Sequence, residues 1–242
     1  MFIYLRAADK CGKKRYSINR VHDGDFSYFE VVFYKKVRPS ILRRAVRKCG
    51  RLLPIAAEPE IKLPHELKPR QIATALFDLQ LLANAFFYVT RGQKTALIYD
   101  PDGRFSPFAL RILLAVSELY ICTRQEEIYS EICHEALKKL GCSPLLLPRA
   151  DFKFFPAALT LKKEPAVRAS LLFGSGGFLP LRDKVLFKGT RESYILAAAK
   201  YCCSGGKNAQ HYLPERLSNG SLEASPEQLK KMLDTHLYAT YN

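Results

Sequence analysis

The chain has 242 residues, 48% of them hydrophobic and 25% charged, and carries a formal charge of +15. That length suits one large domain or two small ones, and the apolar content excludes a disordered chain. The charge is concentrated, because residues 1–51 hold 14 Lys and Arg against 4 Asp and Glu, which points towards an anionic partner.

Met1–Arg6 is too short an apolar run for a secretory leader, and no window approaches the roughly 18 apolar residues of a membrane span. The richest, Ile72 to Val89, is interrupted by Asp78, Gln80 and Asn84. The seven cysteines (Cys11, Cys49, Cys122, Cys133, Cys142, Cys202, Cys203) have no disulfide-framework spacing. The histidines are scattered without a HExxH grouping, so a zinc site is not expected. The adjacent Cys202–Cys203 pair lacks a CxxC context and reads as structural. A reduced, cytoplasmic protein with no membrane partner is the expectation.

In chain order, Ala8 to Asn19 is polar and reads as a loop or hairpin. Phe26 to Tyr34, rich in aromatic and β-branched residues, reads as a strand. Pro39–Ser40 opens a helix with Ile41, Leu42, Ala45, Val46 and Cys49 on one face, closed by Gly50. Its other face carries Arg43, Arg44, Arg47 and Lys48, with Lys35, Lys36 and Arg38 just before. Leu52 to Ala56 reads as a further strand, which makes a small, basic β-α-β lobe over residues 1–66. Residues 57–69 hold three prolines and read as a connector. A long helix is predicted from Arg70 to Thr90, with a buried stripe of Ile72, Leu76, Leu79, Leu82, Ala83 and Phe86 packing between the two halves.

The segment from Thr95 to Leu147 alternates short apolar runs with helices. Thr95–Tyr99 stops at Asp100-Pro-Asp-Gly103. Ser106–Pro107 opens a helix, Leu119–Thr123 is a second run, Gln125–Leu140 a second helix and Ser143–Leu147 a third run. Such alternation predicts parallel strands joined by crossover helices. The segments around Ile98, Ile121 and Leu146 should then lie side by side, pointing the same way. Ligands of such sheets bind beyond the carboxyl ends of the strands, where Asp100, Asp102 and Thr123 fall. After Leu147 the pattern weakens. Arg149 to Pro165 reads as a loop with Phe152, Phe154 and Phe155. Ala169–Phe173 reads as a strand entering a glycine turn, Lys184–Phe187 as a strand, Arg191–Tyr201 as a helix and 204–224 as irregular. Ser225-Pro-Glu-Gln228 starts a last helix with a capping signature.

The layout over 67–242 resembles Rossmann-type domains. The fold expected is therefore α/β: a Rossmann-like three-layer sandwich with a mainly parallel sheet, beside the smaller lobe. Dinucleotide-binding members need a glycine loop after the first strand, and here two carboxylates occupy it. Arg124 could meet a 2′-phosphate, as an Arg at that place does in NADP-binding relatives, or be a solvated strand-end residue. The strand-plus-DxDG at Asp100 and Asp102 also resembles the first motif of haloacid-dehalogenase-like phosphohydrolases, and Thr123 the second. That resemblance implies Asp100 as nucleophile, Asp102 as acid/base, both seating magnesium, Thr123 holding phosphate, and a third acid such as Asp151 or Asp183. Arg104 stands where that family has Thr, and only 20 residues separate Asp102 from Thr123. The same four residues are also ordinary turn formers.

Gly174-Ser175-Gly176-Gly177 could nest an anion or simply turn the chain. The basic face around Arg43, Arg44, Arg47 and Lys48 could lie along nucleic-acid phosphates or be a solvated helix face. The Leu237–Tyr241 tail could bind a partner or dock on its own domain. The function expected is non-catalytic, a degenerate Rossmann-like protein acting through ligand sensing or protein interaction. The alternatives are the magnesium-dependent phosphohydrolase and a nucleic-acid-associated protein. Cofactors are otherwise unassigned, and the partner is an anionic ligand or a protein.

Overall fold

The computed structural model describes residues 1–8, 15–34, 37–149, 153–163 and 167–240. Cys11, Lys35, Lys36, Asp151 and Phe152 lie outside the described residues, as do the side chains of the Leu237–Tyr241 tail. In chain order the principal elements are β1 (Phe2–Ala7), β2 (Tyr16–Asp23), β3 (Phe26–Phe33), α1 (Pro39–Cys49), β4 (Ile55–Ala57), α2 (Ala75–Thr90), β5 (Thr95–Tyr99), α3 (Ser106–Leu113), β6 (Glu118–Cys122), α4 (Glu126–Leu140), β7 (Leu145–Leu147), β8 (Phe154–Thr160), β9 (Arg168–Gly174), α5 (Tyr194–Cys203) and α6 (Pro226–Thr240).

Two compact units result: Met1–Phe77 with Glu192–Ala209, and Asp78–Arg191 with Gln210–Asn242. The connector at 57–69 lies inside the first unit, because the residues after it are tied back to that unit. The Arg70 guanidinium donates to the carbonyls of Gly50 (2.9 Å) and Leu53 (2.6 and 3.0 Å), and Gln71 bridges to Ile55. A short 3-10 helix at His65–Arg70 followed by an extended Gln71 occupies this stretch, so α2 begins at Ala75 and not at Arg70.

In the first unit the strand order is β2-β3-β1-β4, with β3 and β4 parallel to β1 and β2 antiparallel to β3. The expected β-α-β unit is present, with β1 inserted between its two strands. Alternation divides the sheet into two apolar faces. Ile3, Leu5, Val31, Phe33 and Ile55 pack with Leu42, Ala45 and Val46 of α1. Phe2, Tyr4, Tyr28 and Ala56 form a second cluster with Ile195, Leu196 and Ala199 of α5. Four consecutive β1 residues, Phe2 to Leu5, are buried. Each contributes about 1.5–3 kcal/mol of hydrophobic free energy. Helix α5 starts at Tyr194, three residues later than the sequence pattern suggests, where Ser193 Oγ accepts from the Leu196 N–H at 3.2 Å as N-cap.

The second unit is built on a five-stranded sheet of order β7-β6-β5-β8-β9, parallel at every pairing. Ile98 lies beside Ile121, and Ile121 beside Leu146. The chain runs outward from β5 to β6 and β7, then resumes on the other side of β5 with β8 and β9. That reversal is the topological switch point of a Rossmann-like α/β fold. Residues of α2, α3, α4 and α6 form one core with Ala96, Ile98, Leu119, Ile121, Ala157, Leu159, Leu171 and Phe173. On a second cluster, Leu97, Cys122, Phe155 and Ala158 meet Tyr99, Tyr120 and Leu147. The Lys153 ammonium lies 4.0 Å above the Tyr120 ring.

Several local expectations need correction. The 149–165 stretch contains β8, the strand beside β5, and not only loop. Its Pro156 has no N–H to donate, and the register pairs Phe155 and Ala157 with β9 on either side of it. Within α2, Leu76 is 67% exposed, whereas Leu82, Ala83 and Phe86 are buried as expected. Gln80 and Asn84 are buried too, because they satisfy one another. Gln80 Nε2 donates to Asn84 Oδ1 at 2.8 Å, and Asn84 Nδ2 donates to the Tyr212 carbonyl at 2.5 Å. The 204–224 stretch contains short antiparallel pairings, Val185 with Pro214 and Leu217 with Ala224. Helix α6 opens with the expected capping box: Gln228 N–H donates to Ser225 Oγ (3.3 Å) and Ser225 N–H to Gln228 Oε1 (2.8 Å). Among the described residues no helix is long and apolar enough to cross a membrane.

Candidate functional site at the strand ends

The β5–α3 turn is organised by Asp100. Its N–H continues the ladder to the Cys122 carbonyl at 2.9 Å. Its side chain is almost fully buried, and Oδ2 accepts two hydrogen bonds, from the Phe105 N–H at 2.6 Å and the Tyr129 hydroxyl at 2.7 Å. Phe105 immediately precedes the first turn of α3, so the carboxylate satisfies a donor at the entrance of that helix. Tyr129 comes from α4 and is fully buried. Burial, reinforced by the Asp100 charge and hydrogen bond, pushes its phenol far above the ordinary range, so it stays a donor.

Thr123 meets Asp100, as the parallel pairing requires. Its hydroxyl donates to the Asp100 carbonyl at 2.7 Å and accepts from the Gln125 N–H at 2.9 Å. These bonds brace the entrance of α4. Asp102 and Arg124 are both exposed, on the outer side of their turns. Gly103 adopts φ +74, the left-handed conformation the turn requires. Among the described residues no group of three or more His, Cys, Asp or Glu is placed to hold a metal ion.

The glycine tetrad has a steric role. Gly174 ends β9 at φ +108, and a Cβ there would lie 1.6 Å from the Thr160 carbonyl oxygen of β8. A Cβ on Gly177 would lie 2.1 Å from the Leu172 carbonyl oxygen. The turn closes on itself, with Gly174 N–H to the Phe178 carbonyl (2.9 Å) and Gly177 N–H to the Gly174 carbonyl (2.9 Å). Thr160, fully buried, accepts from the Lys162 N–H at 3.0 Å. Ser175 is half-exposed, and a Cβ on Gly176, at φ +82, would lie 2.4 Å from the Lys163 carbonyl oxygen.

Sequence reasoning missed a polar cluster in the first unit. Lys200, one turn from the end of α5, is 1% exposed, and its ammonium contacts Glu192 (2.5 Å) and Asp23 (2.6 Å). Burial opposes its charge, but the two carboxylates outweigh that and raise its pKa. The Glu192 Oε2 atom is buried with no hydrogen-bond partner among the described residues. Nearby, the Tyr4 hydroxyl donates to Glu58 Oε1 at 2.5 Å, and Ser193 also donates to that oxygen. Phe26, whose ring lies 5.6 Å from the Lys200 ammonium, also lines a cavity of about 500 Å3 with Phe2, Asp25, Ser27, Cys203 and Lys207. The sequence shows only a Lys after Ala197-Ala-Ala199 in the last turn of a helix, which is also where an ordinary solvated Lys is placed.

The basic residues Arg43, Arg44, Arg47 and Lys48 are exposed along α1, with Arg43 paired to Glu66 at 3.0 Å. The Cys202 thiol donates to the Ala73 carbonyl at 3.5 Å, and burial, with a smaller effect of Cys203, pushes it up.

No family model matches the chain. No curated protein matches it. Among solved structures, L-tryptophan dehydrogenase from Nostoc punctiforme is similar to it at 16% identity over 60% of this chain, with a TM-score of 0.28. The chain spans about half, 48%, of that enzyme's length. At that score the likeness carries no weight for fold or function. The strand order alone makes the second unit a Rossmann-like α/β domain.

Proposed function

We propose that the Rossmann-like unit is non-catalytic, a degenerate nucleotide fold that acts through ligand sensing or protein interaction. The observation that carries this reading is the Asp100 carboxylate at the entrance of α3. In dinucleotide-binding domains that entrance receives a pyrophosphate on backbone amides. Here the chain supplies its own anion, buried and held from both sides by Phe105 and Tyr129. A phosphate brought to ~4 Å from a carboxylate meets about 1–4 kcal/mol of repulsion without an intervening cation.

The phosphohydrolase alternative draws on the Asp100-Pro-Asp102-Gly103 spacing and on Thr123, and would take magnesium as cofactor. It is favoured less, because a nucleophile needs an accessible oxygen and Asp100 is buried with Oδ2 already accepting twice. Asp102, its proposed acid/base, faces solvent.

The test is calorimetric titration of the full chain with NAD, NADP and ATP, together with p-nitrophenyl phosphate turnover in magnesium. The reading expects neither saturable nucleotide binding nor turnover. Turnover abolished by Asp100→Asn, or nucleotide binding altered by changes at Asp100, would overturn it.

A further inference from the structure

We propose that the outward face of α1 is a docking surface for the phosphate backbone of nucleic acid. This helix belongs to the first unit, and its charges do not depend on the role of the second. From Val31 to Ala57 the sequence contains no Asp or Glu at all, while Glu30 and Glu58 bound the run. Within it, Arg38, Arg43, Arg44, Arg47, Lys48 and Arg51 are all exposed. Among the described residues, Arg44, Arg47 and Lys48 make no ion pair, and Arg43 makes one with an exposed Glu66.

The geometry of the helix orders these cations. Arg43 and Arg47, and likewise Arg44 and Lys48, are four residues apart and form two parallel rows with a rise of about 6 Å between members. The helix Pro39–Cys49 extends over roughly 16 Å, a length along which one strand of duplex carries about five phosphates. Leu42, Ala45, Val46 and Cys49 are buried against the sheet, so the helix is a fixed platform and the charges need little ordering on binding. Gly50 and the Arg70 guanidinium clamp its end.

The chemistry selects among polyanions. Five of the six cations are Arg, whose planar fork bonds phosphate oxygens bidentately. An interfacial membrane helix must turn an apolar face to the lipid, and the apolar face of α1 is spent on the core. Among the described residues of 31–57, the exposed large apolar side chain is Leu52, 93% exposed. A repeating array of cations fits a repeating array of phosphates. Its readout is of backbone and not of base sequence.

The experiment is fluorescence anisotropy of the full chain with a labelled, mixed-sequence 20-base-pair duplex. Four or five neutralised phosphates predict binding that weakens roughly 100- to 500-fold between about 50 and 200 mM salt. The triple variant Arg44→Glu, Arg47→Glu, Lys48→Glu should bind at least ~10-fold more weakly at the lower salt and lower the log–log salt slope by about 3. A charge-conserving Arg44→Lys, Arg47→Lys pair should retain most of the slope. The Lys pair should melt like the parent, and the Glu triple should lose only the helix-end contribution of the charges reversed at Arg47 and Lys48, since these side chains are exposed. No binding at about 50 mM salt, or a triple variant with unchanged affinity and slope, overturns the proposal. So does tighter binding to phosphatidylserine vesicles than to the duplex through the same three residues.

Discussion

Replacing Asp100 by Ala separates a structural acid from a catalytic one. The substitution removes the acceptor of the Phe105 N–H and of the Tyr129 hydroxyl, both at positions closed to solvent. Each buried donor left without a partner costs about 1–3 kcal/mol, and the lost charge at the entrance of α3 adds about 0.3–1 kcal/mol. The total is roughly 2–7 kcal/mol, a large share of the 5–15 kcal/mol that holds a typical protein folded. For a unit of this size, a loss of about 4 kcal/mol lowers the melting temperature by roughly 8–16 °C. Asp100→Asn keeps an acceptor oxygen and should cost less than half as much. Tyr129→Phe removes one donor along with the hydroxyl, so the pair Asp100→Ala and Tyr129→Phe should be less than additive by about 1–2 kcal/mol. The assay is thermal and urea unfolding of the parent and the four variants followed by far-ultraviolet circular dichroism. If Asp100→Ala costs less than about 1 kcal/mol, or the two substitutions are additive, Asp100 is not the clamp described above.

Three further outcomes follow from the packing. Gly174→Ala should destabilise by at least about 2–3 kcal/mol, because its Cβ meets backbone 1.6 Å away, whereas Gly189→Ala, at φ +83 with open space, should cost about 1–2 kcal/mol; equal costs in unfolding would remove the steric account of the tetrad. Lys200→Met should cost about 2–4 kcal/mol by leaving the buried Glu192 without its cation, with Asp23 half-exposed and contributing little. Because the folded pKa of Lys200 is raised, its contribution is complete below about pH 10 and is lost only as pH rises through the higher folded value; a Lys200→Met cost that vanishes near pH 8 would contradict this. Cys202, raised by burial, should react with iodoacetamide at about pH 8 well after the exposed Cys142, and accelerate only at more alkaline pH. Peptide mapping that finds equal rates would refute the burial assignment.

The parts of the fold that were readable are those encoded in local pattern. Thr95–Leu147 alternates apolar runs with capped helices, and β5, α3, β6, α4 and β7 follow within a few residues. Parallel pairing followed from that alternation, since a helix between two short strands returns the chain to the same end of the sheet. Ser225 and Gln228 specify the start of α6 through their own hydrogen bonds. The β8 strand was not readable, because Pro156 and neighbouring aromatics resemble loop composition and the strand is defined by its partners β5 and β9. The same is true of β1, a short run whose central place depends on β3 and β4 reaching it from distant sequence.

The site divides along the same line. The sequence placed Asp100 and Thr123 at adjacent strand ends, because register follows from the two apolar runs. It did not distinguish a nucleophile from a helix clamp. That difference rests on Tyr129, 29 residues away, and on the burial it creates around the carboxylate. Lys200 likewise looks like an ordinary helical Lys until Asp23, 177 residues distant, and Glu192 close round it. Short-range periodicity and capping are properties of consecutive residues and survive in a linear reading. Desolvation and the pairing of buried charge depend on which remote segments meet, and they arise when the chain has folded.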